Sequence, residues 1–343
     1  MTKKVRISTI FGIVLLGIVL FLMNLFVGSV TIPFDDILDV LLKESDDSKL
    51  ITIILNYRLP QAVTAMLAGA GLAVSGLLMQ TLFGNPLADP SMLGISSGAS
   101  LGVGIVILLT GAISGTAVSS FGWWSTIGVS LAAFTGAVAV LFVILAFNSR
   151  TKNMATLIII GLMIAYVASS ITDILKFFSQ KEDIHAFVIW GMGSFSAVGT
   201  SKLGILSVSV LIGLVASVFL SKNLNVLLLG EMYAENLGLN IKRNSLIIIL
   251  ISGYLTAIVT AYCGPIAFVG LAVPHITRFL FKSSDHRLLI PMTMLIGMNL
   301  TLFCNLIARM PGFDGNLPIN AVTAFIGAPV VIAVILKGNK VVR

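Results

Sequence analysis

Asp173 and Lys176 are the clearest pair of ionisable residues inside an apolar run of this sequence. They lie three residues apart, so a helix would place them on one face. A charged side chain costs about 2.5–3.5 kcal/mol at the centre of a bilayer, and charged residues in such runs are functional candidates for that reason. Both lie near the end of their run, where the lysine can reach the interface and the pair can satisfy itself. The pattern permits a substrate path or a structural anchor, and it favours the anchor.

Motifs for catalysis and nucleotide binding are missing from the sequence. It contains no G-x-x-x-x-G-K-[ST] phosphate loop and no H-E-x-x-H motif, and its G-x-G pairs lack the third glycine of a dinucleotide site. The histidines and cysteines are too dispersed to suggest a metal or redox site: His185, His275, His286, Cys263 and Cys304. We therefore expect no catalytic residue, cofactor or metal here, and any reaction that supplies energy must take place in another protein.

The composition is that of a polytopic membrane protein. Hydrophobic residues make up 57% of the 343 residues and charged residues only 10%, against about 25% charged in a soluble domain. A net charge of +7 could indicate a nucleic-acid partner, but the basic residues are scattered between apolar runs and form no patch. We expect no nucleic-acid partner, and we treat residues 1–343 as one transmembrane domain in the lipid bilayer.

Apolar runs of helical length predict an all-α integral membrane protein with about ten transmembrane helices and short interfacial helices. The predicted passes are 8–28, 60–83, 92–110, 124–147, 154–178, 203–220, 244–263, 266–281, 290–309 and 317–336. With both termini in the cytoplasm, most of the 21 lysines and arginines fall inside and most of the 14 acids outside. This asymmetry follows the positive-inside rule and favours an even number of spans.

Three segments depart from simple spans. The eighth pass is punctuated by glycine and proline, which predicts a short or broken helix packed inside the protein. Residues 31–49 have an amphipathic pattern typical of a helix on the outer membrane surface. Residues 187–199 are too short and too rich in glycine to span, and we predict a second interfacial helix there.

The longest cytoplasmic loop runs from Leu227 to Arg243 and mixes apolar with acidic positions. Glu231 and Glu235 lie one turn apart, and Gly238 is a plausible helix stop. A solvated connector has little use for the leucines and the tyrosine in this loop. The pattern favours a short helix that offers an apolar face to a cytoplasmic partner.

Small residues and isolated arginines mark other contact surfaces. Gly94, Gly98 and Gly102 are spaced four apart, which predicts close contact between helix backbones. Arg58 and Arg309 lie at the predicted outer face. Arginine suits bidentate pairing with carboxylates, but the pattern alone favours interfacial anchoring for these two residues.

Several longer motifs occur in a fixed order along the chain. They are R-L-P at 58–60, G-N-P-L-A-D-P-S-M-L-G-I-S-S-G-A at 84–99, W-G-M-G-S-F at 190–195, L-G-E-M-Y-A-E-N-L-G-L at 229–239, G-P-I-A-F-V-G-L-A-V-P-H-I-T-R at 264–278, D-H-R at 285–287 and L-P-I-N-A-V-T-A-F-I-G-A-P at 317–329. From about residue 50 to 337 the chain resembles the membrane-spanning subunit of ATP-binding-cassette (ABC) importers for ferric siderophores, haem and vitamin B12.

The resemblance implies a homodimer of ten-helix subunits in the bacterial plasma (inner) membrane, with two cytoplasmic ATP-binding subunits and an extracytoplasmic substrate-binding protein. ATP and Mg²⁺ would belong to the partner ATPase. It implies an ATPase-coupling loop at Leu229, Gly230, Glu231, Ala234, Glu235, Leu237 and Gly238. It also implies that Arg58 and Arg309 dock the binding protein. Gln61 stands where the family often has a second arginine, so one docking cation is expected to be missing.

Iron chelates rank above cobalamin as the expected cargo, because they are the commoner cargo of the family. The alternatives are the same machinery importing vitamin B12 or, from another class, an ion-gradient-driven secondary transporter. The secondary transporter would need intramembrane coupling-ion residues and usually inverted repeats. An intramembrane enzyme would need a facing set of catalytic groups, which the apolar runs do not contain.

Overall fold

The computed structural model describes residues 3–28, 32–33, 35, 39–40, 47–109, 123–151, 154–310 and 316–338. Within these residues the chain forms thirteen α-helices of six residues or more. In chain order they are α1 Lys3–Phe26, α2 Leu59–Leu82, α3 Ile95–Gly104, α4 Trp123–Arg150, α5 Met154–Phe178, α6 Lys181–Gly191, α7 Thr200–Phe219, α8 Ser221–Leu227, α9 Glu231–Asn236, α10 Ile241–Cys263, α11 Val269–Phe281, α12 His286–Ala308 and α13 Ile319–Gly338.

Each of the ten predicted passes coincides with one of these helices. Seven helices of the described chain are long and apolar enough to cross a membrane, and three shorter apolar helices accompany them. The short ones are Ile95–Leu109, Val269–Phe281 and Ile319–Ala333. The prediction of an all-helical membrane protein is confirmed. So is the prediction of a short eighth helix, because α11 begins only after the irregular residues 264–268.

Helix α2 forms the centre of the bundle, and 89% of an apolar 18-residue stretch of this span is buried. The helix begins earlier than predicted, since a π-helical segment, Thr52–Arg58, precedes it without a break. Pro60 lacks an N–H group, and the wider turn before it shifts the hydrogen bond of Leu59 to the carbonyl of Ile54. The proline therefore lies within a continuous helix and does not start one.

Glycines bring α2 into backbone contact with its neighbours. A Cβ on Gly69 would lie 2.3 Å from the carbonyl oxygen of Gly297 in α12, and one on Gly76 would lie 1.9 Å from that of Gly270 in α11. Helices in lipid gain no hydrophobic drive from association, so close packing of this kind replaces it. These contacts fix α11 and α12 against the central helix.

The predicted small-residue face on α3 is confirmed: Gly98 and Gly102 pack against α4, and Gly94 packs against Gly161 of α5. A Cβ on Gly98 would lie 2.6 Å from the carbonyl oxygen of Gly136, and one on Gly102 would lie 2.1 Å from that of Ala132. Gly94 begins α3 with a φ of +76°, in the left-handed region that glycine adopts most readily.

The two predicted interfacial helices have different outcomes. Residues 31–49 lie mostly outside the described part of the chain. The helix expected at 187–199 begins earlier, because α6 spans Lys181–Gly191. Glu182 and Asp183 in its first turn favour this start through the helix dipole. Gly193, with a φ of +73°, turns the chain away soon after the helix ends.

Candidate functional site

Helix α9 and the residues that flank it present an exposed apolar surface at the end of the bundle where α7 ends and α10 begins. We call this surface the coupling patch: Leu228, Leu229, Met232, Tyr233 and Leu237. Met232 and Tyr233 are 78% and 69% exposed. Glu231 and Glu235 are exposed on the same helix. Bulky apolar side chains grouped at a polar end are typical of a surface that another protein covers.

Glycines define both ends of α9. Gly230 precedes the helix with a φ of +95°, and Gly238 follows it with a φ of +85°. The Gly238 N–H donates to the Glu235 carbonyl at 2.9 Å, and the Leu239 N–H donates to that of Ala234 at 3.0 Å. This is a Schellman ending, so the predicted helix stop at Gly238 is confirmed. Ala234 is fully buried and fixes the short helix against the bundle.

A chain of hydrogen bonds, which we call the inner relay, joins α8 to the ends of α2 and α12. His286 is buried, and its Nδ1 lies 2.9 Å from the Asn225 side-chain oxygen. Its Nε2 lies 2.8 Å from the Thr81 hydroxyl. Asn225 also accepts from the His286 backbone N–H at 2.8 Å and donates to Asp285 at 2.6 Å. The relay consists of Thr81, His286, Asn225 and Asp285.

The relay assigns the proton on Nδ1 of the imidazole. Because the Asn225 amide donates to Asp285, its oxygen must accept from His286 Nδ1–H. The Thr81 hydroxyl lies 2.8 Å from His286 Nε2 and 2.9 Å from the Leu77 carbonyl oxygen, within hydrogen-bond distance of both. Hydrogen bonds from Asn225 and from the Arg287 backbone N–H lower the pKa of Asp285, so the carboxylate is ionised at neutral pH. His286 thus links α8 to the central helix α2.

Two more contacts fasten α11 at the same end of the bundle. Arg278 donates to the side-chain oxygen of Gln80 at 2.6 Å. His275 Nε2 donates to the carbonyl of Pro86 at 2.8 Å. Together with the inner relay, these bonds join α2, α11 and α12 into one connected unit at this end of the bundle. Neither network was predicted from the sequence, although Gln80, His275 and His286 are polar residues beside apolar runs.

At the opposite end, Arg58 and Arg309 meet at the C-terminus of α1. Arg58 donates to the carbonyls of Leu25 and Phe26 at 2.6 and 2.9 Å, and Arg309 donates to that of Asn24 at 3.2 Å. Cations stabilise the last turn of a helix, where carbonyls lack intrahelical partners. Arg58 is only 3% exposed, whereas Arg309 is half-buried. The two arginines therefore share a structural role in holding α1, and Arg309 is the more accessible.

Gln61 points into the bundle. Its amide donates to the side-chain oxygen of Asn305 at 3.1 Å, and Asn305 donates to that of Asn24 at 2.7 Å. All three side chains are buried. The expectation that Gln61 marks a missing docking cation is not supported by this geometry, because position 61 faces α12 and not the outer surface.

Arg58→Ala should lower the free energy of unfolding by about 2 kcal/mol, since hydrogen bonds from a charged group contribute roughly 1.5–3 kcal/mol. Lys176→Ala is the matched control, because its exposed ion pair is worth about 0–1 kcal/mol. Thermal unfolding in detergent micelles would show the difference. Equal shifts for the two variants would mean that Arg58 does not hold α1.

Asp173 and Lys176 form an ion pair near the C-terminal end of α5. Lys176 Nζ lies 3.1 Å from the Asp173 carboxylate and 5.2 Å from the centre of the Phe187 ring in α6. The Asp173 side chain is 64% exposed and the Lys176 side chain 35%. These contacts connect α5 to α6, as a structural anchor would, and the sequence pattern favoured that interpretation.

Comparison with known proteins adds to this geometry. The model of the FecCD transport family matches residues 15–337. The vitamin B12 import system permease protein BtuC of Klebsiella pneumoniae is 34% identical over 331 residues, which is 96% of this chain and 94% of that protein. BtuC of Escherichia coli O127:H6 is 34% identical over 285 residues, or 82% of this chain and 83% of that protein.

Two solved structures are similar as well. A metal-chelate type ABC transporter in an inward-facing conformation superposes with a TM-score of 0.83 at 30% identity, over 96% of this chain and 99% of that one. PsaBC from Streptococcus pneumoniae, solved with a Fab, has a TM-score of 0.51 at 13% identity and shares the fold alone. On the family match over residues 15–337 and these relatives, the chain belongs to the FecCD transport family.

Proposed function

We propose that this chain, an ABC importer permease, forms a homodimer whose subunits enclose a path for a metal chelate across the bacterial plasma (inner) membrane. A substrate-binding protein delivers the chelate from outside, and two cytoplasmic ATP-binding subunits supply the energy. The coupling patch carries the proposal, because it is an exposed apolar surface on a short helix that is held at both ends by glycine turns. With the patch inside, both termini lie in the cytoplasm.

The chain's own part in transport is mechanical. Closure of the ATP-bound subunits moves α9, and with it α8, whose Asn225 is bonded to His286 at the start of α12. His286 passes the displacement to Thr81 at the inner end of α2. Packed helices move as rigid bodies, so a small shift at this end becomes a reorientation of the bundle. Alternating access then releases the chelate inside.

The docking role of Arg309 remains a proposal. Its partly exposed guanidinium can pair with a carboxylate of the binding protein while one N–H group stays on α1. Arg58, buried against the same helix end, would position Arg309 and contribute positive charge to the site. The surface around Arg309 and the coupling patch lie at opposite ends of the bundle, as a path between two partner proteins requires.

Two cargo classes deserve a direct comparison. A ferric siderophore or haem is our first candidate, in keeping with the similar metal-chelate type transporter. Cobalamin is the second, because the relatives described above are named for vitamin B12 import. Uptake of labelled ferric siderophore, haem and cobalamin into proteoliposomes that contain the full complex would distinguish them. Uptake in the absence of the ATPase would instead establish a gradient-driven transporter and refute the proposal.

The double variant Met232→Ser with Tyr233→Ser should fold normally and fail to retain the ATPase subunits during purification. Both side chains are exposed, so the bundle loses no packing, whereas an interface loses two large anchors, each worth about 2 kcal/mol or more. Co-purification at matched detergent concentration measures the loss. Phe178→Ser, which changes an exposed residue at the outer end of α5, is the control and should retain the subunits. Normal retention by the double variant would exclude the coupling patch as the ATPase site.

A further inference from the structure

A groove of about 510 Å³ opens between α4, α7 and α10. This volume lies within the range of roughly 300–1,000 Å³ that small-molecule sites occupy. Leu131 of α4 and Ile205 of α7 line it and are each 61% exposed, so the groove opens sideways on the bundle. It is separate from the coupling patch and from the arginines that hold α1.

The groove is polar at one end and mainly apolar along its length. Ser201 and Lys202 lie in the first turn of α7, and Tyr262 lies in the last turn of α10. Those two helix ends belong to the proposed outer side of the membrane. Phe134, Ile205 and Ile258 line the deeper part, together with the polar residues Ser130, Ser209 and Tyr254.

The charge of the lining is also one-sided. Lys202 is the cation of the groove, and none of the described residues that line it is acidic. A lysine beside hydroxyl groups provides donors for a phosphate, and aromatic residues with a polar tip are typical of the membrane interface. An amphiphile fits this groove, because its anionic head matches the polar end and its hydrocarbon tail matches the apolar part.

We propose that the groove binds an anionic phospholipid of the outer leaflet. The phosphate lies against Lys202, with the hydroxyls of Ser201 and Tyr262 as further donors, and one acyl chain lies along Phe134, Ile205 and Ile258. A basic pocket between transmembrane helices selects anionic head groups because a zwitterionic lipid carries its own compensating cation. The bound lipid would contact α4, α7 and α10 and fill the groove between these three helices.

Native mass spectrometry of the purified protein tests the proposal. Phosphatidylglycerol and phosphatidylcholine with identical acyl chains are added at equal concentration, and the bound lipid is counted. We expect preferential retention of phosphatidylglycerol in the wild type. Lys202→Gln should reduce that preference about tenfold, as the loss of a charge-assisted hydrogen bond predicts. Lys176→Gln, which removes a cation of the same kind at the outer end of α5, should not change it.

Two further experiments distinguish the contribution of the lipid head group from that of the acyl chain. Ser209→Phe keeps Lys202 but narrows the apolar part, and it should also lose the preference. Glycerol phosphate, which has the head group and no acyl chain, should neither bind measurably nor raise the unfolding temperature. Equal retention of the two lipids by the wild type, an unchanged preference in Lys202→Gln, or binding of glycerol phosphate alone would each overturn the proposal.

Discussion

Gly76→Ala should prevent stable folding of the bundle. The new methyl group would lie 1.9 Å from the carbonyl oxygen of Gly270, less than any real Cβ contact, and the obstacle is backbone, which cannot rotate away. Helix α11 must then separate from α2, which has the largest buried share of the candidate spans in the described chain. Overpacking of this severity costs about 3 kcal/mol or more, a large share of a stability of roughly 5–15 kcal/mol.

Gly204→Ala is the matched control for this substitution. Gly204 also lies within a helix, but a Cβ there meets nothing within 4 Å. Alanine is a better helix former than glycine by about 1 kcal/mol, so this variant should be neutral or slightly more stable. Size-exclusion profiles and thermal unfolding in detergent compare the two. If Gly76→Ala unfolds at the wild-type temperature, α2 and α11 are not in the close contact described.

His286→Leu should uncouple ATP hydrolysis from transport. The leucine side chain can fill the buried site but cannot bond Thr81, and only the backbone N–H of residue 286 still donates to Asn225, so side-chain motion at α8 would no longer reach α2. Coupling energies of about 1–3 kcal/mol correspond to roughly 5–150-fold effects. We expect transport per ATP hydrolysed to fall about tenfold or more in proteoliposomes while the ATPase subunits stay bound.

The relay is tested by the ratio of the transport rate to the rate of ATP hydrolysis. A variant with a merely damaged fold would lose hydrolysis, transport and subunit binding together. Thr81→Val removes one bond of the relay with little change of shape, and it should give a smaller loss in the same ratio. His185→Leu, an exposed position in α6, should change nothing. An unchanged ratio in both His286→Leu and Thr81→Val would show that force reaches α2 by another route.

Length and hydrophobicity were sufficient to predict the helices. The ten apolar runs coincide with ten helices because an intramembrane segment must satisfy its own backbone hydrogen bonds. Glycine and proline near residues 264–274 predicted the short α11 for the same reason, since residues 264–268 form no helix. The short helix predicted in the loop Leu227–Arg243 is confirmed by α9, whereas its coupling to an ATPase stays a prediction.

The packing partners could not be predicted in this way. The spacing of Gly98 and Gly102 predicted a close helix contact, but it could not predict that α4 is the partner helix. Gln61 looked like a surface substitution because its neighbour Arg58 was assigned to docking, whereas the helix turns position 61 toward Asn305. Asn24 and Asn305 did carry a signal, since an amide in an apolar run needs a partner, but the sequence does not say which residue supplies it.

The ties that hold α1 have a consequence for biosynthesis. Asn24 donates to the carbonyl of Leu302 and accepts from Asn305, residues that follow it by 278 and 281 positions. At about 5–20 residues per second, the ribosome takes roughly 15 to 60 s to make that distance. Until then, of these bonds, the Asn24 amide can form the one to Leu20 in its own turn. Helix α1 is therefore made before α12, and the nascent chain must satisfy the Asn24 amide through other contacts during that interval.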